Sequence, residues 1–255
     1  MTDLSVIVIT RDEAHNLPRC LDSVSFADEI VIVDSGSQDG TREIARRYTD
    51  KVYELPWEGF GPTKQAALER ATGYWVLSLD ADEELDRTLA AAVKQVVRGP
   101  EQSVCGFRAN RLSNFLGTWI RHSGWYPDRV VRLGRRSRMR FSPDHVHERL
   151  IIDGPTSDLD GHLLHYTDPD FRHYLKKLAR YADLSARGLH GQGRRAGWFD
   201  IAIRPAYQFC KSYLIKAGFL DGRAGFILAC GSSFHVYTKY VRLWELGRET
   251  PACSS

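Results

Sequence analysis

The chain has 255 residues, 43% of them hydrophobic, enough for a packed domain with an appendage, and this composition excludes a disordered polymer. Its net charge of +3 is unevenly spread: residues 1–100 carry 11 Lys/Arg against 18 Asp/Glu, and residues 172–223 carry 11 Lys/Arg against 3 Asp/Glu, so an acidic front and a basic back point to different tasks. Five cysteines (Cys20, Cys105, Cys210, Cys230, Cys253) without a C-x-x-C pair argue for a reducing compartment, and neither a signal peptide nor a membrane span is expected, since no basic stretch precedes Leu4 and no apolar run reaches about 18 residues.

Leu4 to Thr10 (LSVIVIT) is a β-branched apolar run that reads as a buried parallel strand. A helix is predicted from about Asn16 to Phe26, then a second buried strand over Glu29 to Asp34. Asp39-Gly40-Thr41 opens a helix to about Tyr48, with Ser37 or Asp39 as N-cap. A short strand over Lys51 to Leu55, a helix over Pro62 to Thr72 and a strand over Trp75 to Leu79 complete the alternation, which predicts an open α/β sheet with parallel strands. Beyond about residue 100 the pattern loosens. Phe107 to Leu112 and Val130 to Leu133 read as strands, with an irregular aromatic loop between them. From Asp170 the pattern is helical, and Phe199 to Leu246 mixes aromatic, aliphatic and basic residues. The expected division is a nucleotide-binding domain over 1–168 and a helical extension over 169–255.

Ligands of open α/β sheets bind beyond the carboxyl ends of the strands. Those ends carry Thr10-Arg11-Asp12-Glu13, Asp34-Ser35-Gly36-Ser37 and Asp80-Ala81-Asp82. Residues two apart in an extended chain point to one side, so Asp80 and Asp82 suit a hard divalent cation, Mg²⁺ or Mn²⁺, whose remaining positions substrate phosphate fills. A bare D-x-D also occurs in surface turns; its place after a buried strand, with two more polar strand ends upstream, favours a site. No G-x-G-x-x-G follows a strand and no G-x-x-x-x-G-K-[ST] is present, which disfavours dinucleotide redox chemistry and P-loop phosphoryl transfer.

The segments VIVITRDEAHNLPRCLDSV, EIVIVDSGSQDGTREIA, KQAALERATGYWVLSLDADE and WYPDRVVRL, in this order across residues 4–150, resemble consecutive blocks of the family-two glycosyltransferases, inverting enzymes with the GT-A fold, which implies an open mixed sheet with helices on both faces. With HVHERL and the basic aromatic tail, the whole chain is similar to bacterial lipopolysaccharide inner-core β-1,4-glucosyltransferases, which add glucose to a core heptose. The resemblance implies a UDP-sugar donor and a lipid-linked saccharide acceptor. It assigns Thr10, Asp12 or Glu13, and Asp34 to the nucleotide wall, with Asp34 accepting from the uracil imide. Lys64 would reach the nucleotide or diphosphate, Asp80 and Ala81 would line the ribose side, and Asp82 would hold the metal. Thr10 and Asp34 could instead cap helices, and Lys64 could be a solvated helix charge.

Inverting transfer needs a base beside the acceptor hydroxyl. Glu148, in His145-Val146-His147-Glu148, matches the family's base position, with Asp144 as runner-up; the bland reading pairs Glu148 with Arg149 or Arg140. Many relatives place the base in a Glu-Asp pair, which this chain lacks. Of His162 and His165, His165 is the better candidate to complete the metal site. Trp119, Trp125, Tyr126, Asp128 and Arg129 form an aromatic and charged loop; the last four are candidate acceptor contacts, since sugar C–H faces pack on rings, although core packing explains the aromatics equally well. The basic aromatic tail reads as a membrane-surface element rather than a nucleic-acid module, with an anionic membrane as partner, at the cytoplasmic face of the inner membrane; the plain alternative is a packing appendage. Two other functions remain in view. A nucleotidyltransferase making activated sugars normally carries a glycine-rich basic signature where this chain has Thr10-Arg11-Asp12-Glu13. A non-catalytic, membrane-docked nucleotide-sugar-binding protein would not need Asp34, Asp80, Asp82 and Glu148 together.

Overall fold

The computed structural model describes residues 2–100, 103–143, 148–168 and 170–248. The chain divides into two compact units, Met1–Leu112 with Asp128–His165, and Ser113–Pro127 with Tyr166–Ser255.

In the first unit the parallel strands come first. β1 (Leu4–Thr10) is buried throughout and lies between β2 (Glu29–Asp34) and β4 (Trp75–Asp80), with β3 (Val52–Glu54) outside β2. Antiparallel strands extend the sheet: β8 (Asp128–Arg135) pairs with β4, β6 (Gly106–Phe115) with β8, and β5 (Glu83–Leu85) with β11 (Thr156–Asp168). The order is β3-β2-β1-β4-β8-β6-β11-β5, with β7 (Thr118–Trp119) on β6. A separate ribbon joins β9 (Met139–Phe141) and β10 (Leu150–Ile152). The sheet is therefore mixed, as the family resemblance implies, and not parallel throughout, as the alternation of strands and helices alone predicts.

Helices cover both faces because β-branched residues alternate their side chains across the sheet. On one face, Val6, Val8 and Ile32 pack with α1 (Leu17–Asp22) and α4 (Arg87–Arg98), which contribute Leu17, Leu21, Leu89, Val93 and Val96. On the other, Ile7, Ile9, Val31 and Val33 pack with Ala67 and Leu68 of α3 (Phe60–Arg70). Helix α2 spans only Thr41–Ala45, and its N-cap is Gly40 rather than Ser37 or Asp39; Asp39, one residue before the cap, still accepts the Thr41 N–H on Oδ1 at 3.0 Å. α4 lies in a stretch with no predicted element, and starts where Asp86 accepts the Leu89 N–H at 2.7 Å. β11 crosses that helix start at Gly161, with φ +98°; a Cβ there would lie 2.3 Å from the Leu89 nitrogen. Only glycine allows this approach.

The second unit is helical: α5 (Phe171–Gly191), α6 (Trp198–Cys210) and α7 (Gly222–Leu246). Asp170 caps α5 through the His173 N–H at 2.7 Å. Tyr174, Leu178, Ala182 and Ala186, spaced by four, form its buried stripe. Tyr174 and Leu178 pack with Ala224 and Leu228 of α7, and Ala186 packs with its Tyr240, Leu243 and Leu246. Gly231 lets Tyr174 in: a Cβ there would lie 2.2 Å from the phenol oxygen.

Candidate functional site

Strand register decides which polar ends meet. Thr10 stands opposite Asp34 across β1 and β2, and Ile9 stands opposite Asp80 across β1 and β4. By strand alternation, Thr10 and Asp34 project to the α1 face and Asp80 to the α3 face. The polar strand ends thus form two groups rather than one ring.

The first group is tied into its own loops. Asp34 is fully buried; its Oδ1 accepts the N–H groups of Gly36 (3.1 Å) and Ser37 (3.0 Å), and its Oδ2 accepts the Ser37 hydroxyl. Asp12, at φ 55°, accepts the Gln38 N–H at 2.6 Å, and its own N–H donates to Ser37 Oγ at 2.9 Å. Glu13 donates its N–H to Thr41 Oγ1 at 2.8 Å, and its carboxylate accepts from Asn16 Nδ2 at 2.8 Å. The buried hydroxyls of Thr10 and Ser35 have no hydrogen-bond partner among the described residues. A buried hydroxyl without a partner costs stability, so these two strand ends are where a ligand's polar groups would be compensated.

The second group is a chain of alternating charges. Asp128 meets Arg111 (2.7 Å), and Arg111 faces Glu83 (3.8 Å). Glu83 accepts from Arg132 (2.5 Å), which reaches Asp80 (2.9 Å). Asp80 meets Lys64 (2.7 Å), and Lys64 meets Glu148 (2.8 Å). Lys64, Glu83 and Arg132 are buried, with 2%, 1% and 8% of their surface exposed. Burial alone would raise the Asp80 carboxyl, but Lys64 and then Arg132 outweigh it and hold the group far below the usual carboxylate range. Burial would likewise lower the Lys64 ammonium; Asp80, and Glu148 after it, overcome burial and the repulsion of Arg132 and leave it raised. Both oxygens of Asp80 are thereby committed. Glu148 gives only Oε1 to Lys64, and its Oε2 has no partner among the described residues. Its partner is thus Lys64 rather than Arg149 or Arg140. Asp144, His145 and His147 lie outside the described residues.

Asp82 follows Asp80 in the turn after β4, with Ala81 buried between them. Its Oδ2 lies 3.2 Å from Nε2 of His165, which β11 brings opposite Glu83. His162, three residues earlier, is bound instead to the α4 cap, its Nδ1 lying 3.1 Å from Asp86. The Cys20 thiol beneath this turn reports the local field: burial first, then Glu83, Asp82 and Asp80, push it well above its ordinary value. An electronegative turn with a carboxylate and an imidazole side by side fits a divalent cation that takes its other ligands from substrate oxygens. Among the described residues no group of three or more His, Cys, Asp or Glu is arranged to hold a metal by itself.

The aromatic loop is divided between the units. In the second, Trp125 packs edge-on to Phe115 at 5.9 Å, Trp119 meets Tyr166 at 5.2 Å, and the Arg121 guanidinium lies 5.9 Å from the Tyr126 ring. In the first, Asp128 pairs with Arg111 and Arg129 with Asp158 at 2.9 Å. Arg132, Glu83 and Arg111 were given no role by sequence reasoning. The available signal was a lone arginine inside the apolar run Val130-Val131-Arg132-Leu133, because a buried cation needs a buried anion.

The profile described as Glycosyl transferase family 2 matches residues 5–154. Over its length the chain is similar to the lipopolysaccharide core biosynthesis glycosyltransferase LpsC of Rhizobium meliloti (strain 1021), at 29% identity over 249 residues, covering 95% of this chain and 92% of that protein. It is also similar to an uncharacterized glycosyltransferase of Rickettsia typhi, at 25% identity over 257 residues, covering 96% and 88%. Among solved structures, the mannosyltransferase PcManGT from Pyrobaculum calidifontis, in complex with GDP-Man and Mn²⁺, superposes with a TM-score of 0.54 at 17% identity, covering 96% of this chain and 88% of that one. That likeness bears on the fold, which is GT-A as the sequence implies.

Proposed function

We propose, from the premise that the chain belongs to glycosyl transferase family 2 and is a glycosyltransferase, that it moves a hexose, glucose from UDP-glucose, onto a lipopolysaccharide core heptose with inversion at the anomeric carbon. The observation that carries the reading is the run of buried charge ending at Glu148, with the Asp82–His165 pair at the same strand ends. Similarity over nearly the whole chain to a lipopolysaccharide core enzyme supports the acceptor class. The reading includes a lipid-linked acceptor met at the cytoplasmic face of the inner membrane.

In this reading Glu148 takes the proton of the acceptor hydroxyl on Oε2. The freed oxygen attacks the anomeric carbon from the face opposite the diphosphate. The bond from that carbon to the diphosphate oxygen breaks, and its electron pair leaves with the nucleoside diphosphate. Lys64 fixes Glu148 through Oε1 and ties it to Asp80, so the base stands in one place before substrate arrives. Asp82 and His165 would hold Mg²⁺ or Mn²⁺, which would neutralise charge on the departing diphosphate. Thr10 and Ser35 would give their unpartnered hydroxyls to the nucleotide. Asp34 would accept the uracil imide N–H on Oδ2, which takes one donor, the Ser37 hydroxyl, and has a lone pair to spare. The test is a screen of nucleotide sugars with the purified chain and a heptose acceptor, reading released nucleoside diphosphate. UDP-glucose turnover with an inverted product is expected. Pyrophosphate release from a nucleoside triphosphate, or no turnover with any donor, would overturn it.

A further inference from the structure

The second unit leaves a continuous run of large apolar side chains in water. On α6, Phe199, Ile203 and Tyr207 recur every four residues and are exposed, and Trp198 at the helix start is 82% exposed. Past α6 the chain widens into a π-helical turn over Lys211–Ile215, takes a left-handed residue at Ala217, and closes in a 3₁₀ turn over Gly218–Asp221. That turn puts Leu214, Ile215, Phe219 and Leu220 outward, Ile215 at 68% and Leu220 at 61% exposure. It is well supported: Tyr213 stacks on Phe209 at 5.4 Å and meets Phe219 and Phe226 edge-on at 6.2 and 5.6 Å. The apolar side chains are therefore held out by a packed base.

Charge on the same segment is one-sided. From residue 184 to residue 244 the only acidic residues are Asp200 and Asp221. Asp200 is taken by Arg204 at 2.6 Å and by the Gly197 N–H. Asp221 is taken by His122 and by the Arg121 and His122 N–H groups. Lys211, Lys216 and Arg223 flank the exposed turn and make no ion pair with any described residue. A second copy seated here would bring these cations together without acids to meet them. An anionic bilayer offers acyl chains to the apolar tip and phosphates to the ammonium and guanidinium groups, whose long stems let the charge stay at headgroup level. No helix among the described residues is long and apolar enough to cross a membrane.

We infer that the turn joining α6 to α7, with the outer edge of α6, is a docking surface for an anionic lipid bilayer: Leu214, Ile215, Phe219 and Leu220 enter the interface, and Lys211, Lys216 and Arg223 meet lipid phosphates. This stands whichever sugar is transferred. The experiment is flotation of the full chain with vesicles of phosphatidylcholine alone and of phosphatidylcholine with phosphatidylglycerol. Binding to the anionic vesicles, weakened by salt, is expected. Ile215→Glu/Leu220→Glu should lower it by about tenfold or more on both vesicle types. Lys211→Glu/Lys216→Glu should lower it on anionic vesicles alone, down to the level on neutral ones. All four side chains are exposed, so cooperative thermal unfolding should be kept. Equal and negligible flotation with both vesicle types, or unchanged partition of Ile215→Glu/Leu220→Glu, overturns the inference. A dimer in sedimentation equilibrium that the same variant dissolves, without vesicle binding, gives the face to a second copy instead.

Discussion

In the first compact unit Lys64, Glu83 and Arg132 are buried although fully charged side chains belong in water; in the second, Trp198, Ile215 and Leu220 are exposed although they belong in a core. Each arrangement departs from the usual partition, and each costs stability. The first is repaired internally: each of these three touches a charge of opposite sign, so the line from Asp128 to Glu148 is held without a ligand. The second has no internal repair among the described residues, where Lys211, Lys216 and Arg223 make no ion pair and the apolar tip stays exposed. An internally satisfied departure pre-organises a site, and an unsatisfied one asks for a partner. The comparison can be broken by removing single charges from the first unit.

The largest effect is expected at Asp82. If the electronegative turn holds a divalent cation with the diphosphate, excess chelator abolishes transfer, and added Mn²⁺ or Mg²⁺ restores it in the wild type. Asp82→Ala should lower transfer by about 10²–10³-fold or more, and the added ions should not recover it. Turnover in excess chelator equal to that with metal would remove the cation from the reading.

Next comes Glu148. Glu148→Gln keeps the shape and the contact with Lys64 but removes the proton acceptor. Transfer should fall by about 10²–10⁴-fold, with calorimetric affinity for the nucleotide little changed. Loss of both would make Glu148 a support for Lys64 rather than the base; near-normal transfer would move the base elsewhere, with Asp144→Asn as the next variant.

Arg132 tests the internal repair itself. Arg132→Met leaves Glu83 and Asp80 facing each other without their shared cation, and breaking a buried pair in this way costs about 3–5 kcal/mol. Urea unfolding should show that loss, and transfer should fall with it. A variant as stable as the wild type would mean that the buried line is not a tightly coupled network.

The parallel half of the sheet was legible because its strands are unbroken apolar runs ending in polar residues, and β1, β2 and β4 end where the sequence puts them to within a residue. The antiparallel half was legible only in part: the strands read over Phe107–Leu112 and Val130–Leu133 lie inside β6 and β8, but β5 is three residues long, β11 alternates polar residues without an apolar face over Thr156–Gly161, and the separate β9 and β10 are three residues each. Helix α4 announces itself through Asp86 and the spacing of Leu89, Val93 and Val96, a signal the D-x-D beside it overshadowed. Of the candidate site, strand-end placement identified Asp34, Asp80 and Asp82. The alternation that sends Asp34 and Asp80 to opposite faces was equally present in the sequence, but only register shows which residues stand across from each. The Lys64–Glu148 pair, 84 residues apart, has no local signature at all.

The smallest effect is expected at a buried charge that is not part of the site. Glu29 opens β2, at the end of the strand away from Asp34. Its carboxylate takes Ser5 Oγ and Lys51 Nζ, and accepts the Thr72 N–H at 2.7 Å and the Thr72 hydroxyl at 2.9 Å. Burial pushes its pKa up, but these bonds together win and bring it from 4.5 down to about 2. A carboxyl depressed by folding contributes stability that is present above its unfolded value and is lost as the pH falls through its folded one. The contribution is on the order of 2–3 kcal/mol, the upper end discounted because Lys51 is partly in water. Glu29→Gln should therefore weaken the fold by that amount at pH 7, and the two proteins should converge in stability as the pH is taken from about 4.5 to about 2 in a series of urea titrations. Transfer per folded molecule at neutral pH should not change. If Glu29→Gln instead slowed transfer as Glu148→Gln does, buried charge in this unit would act on the reaction through the whole sheet, and the line from Asp128 to Glu148 would have no special claim to be the site.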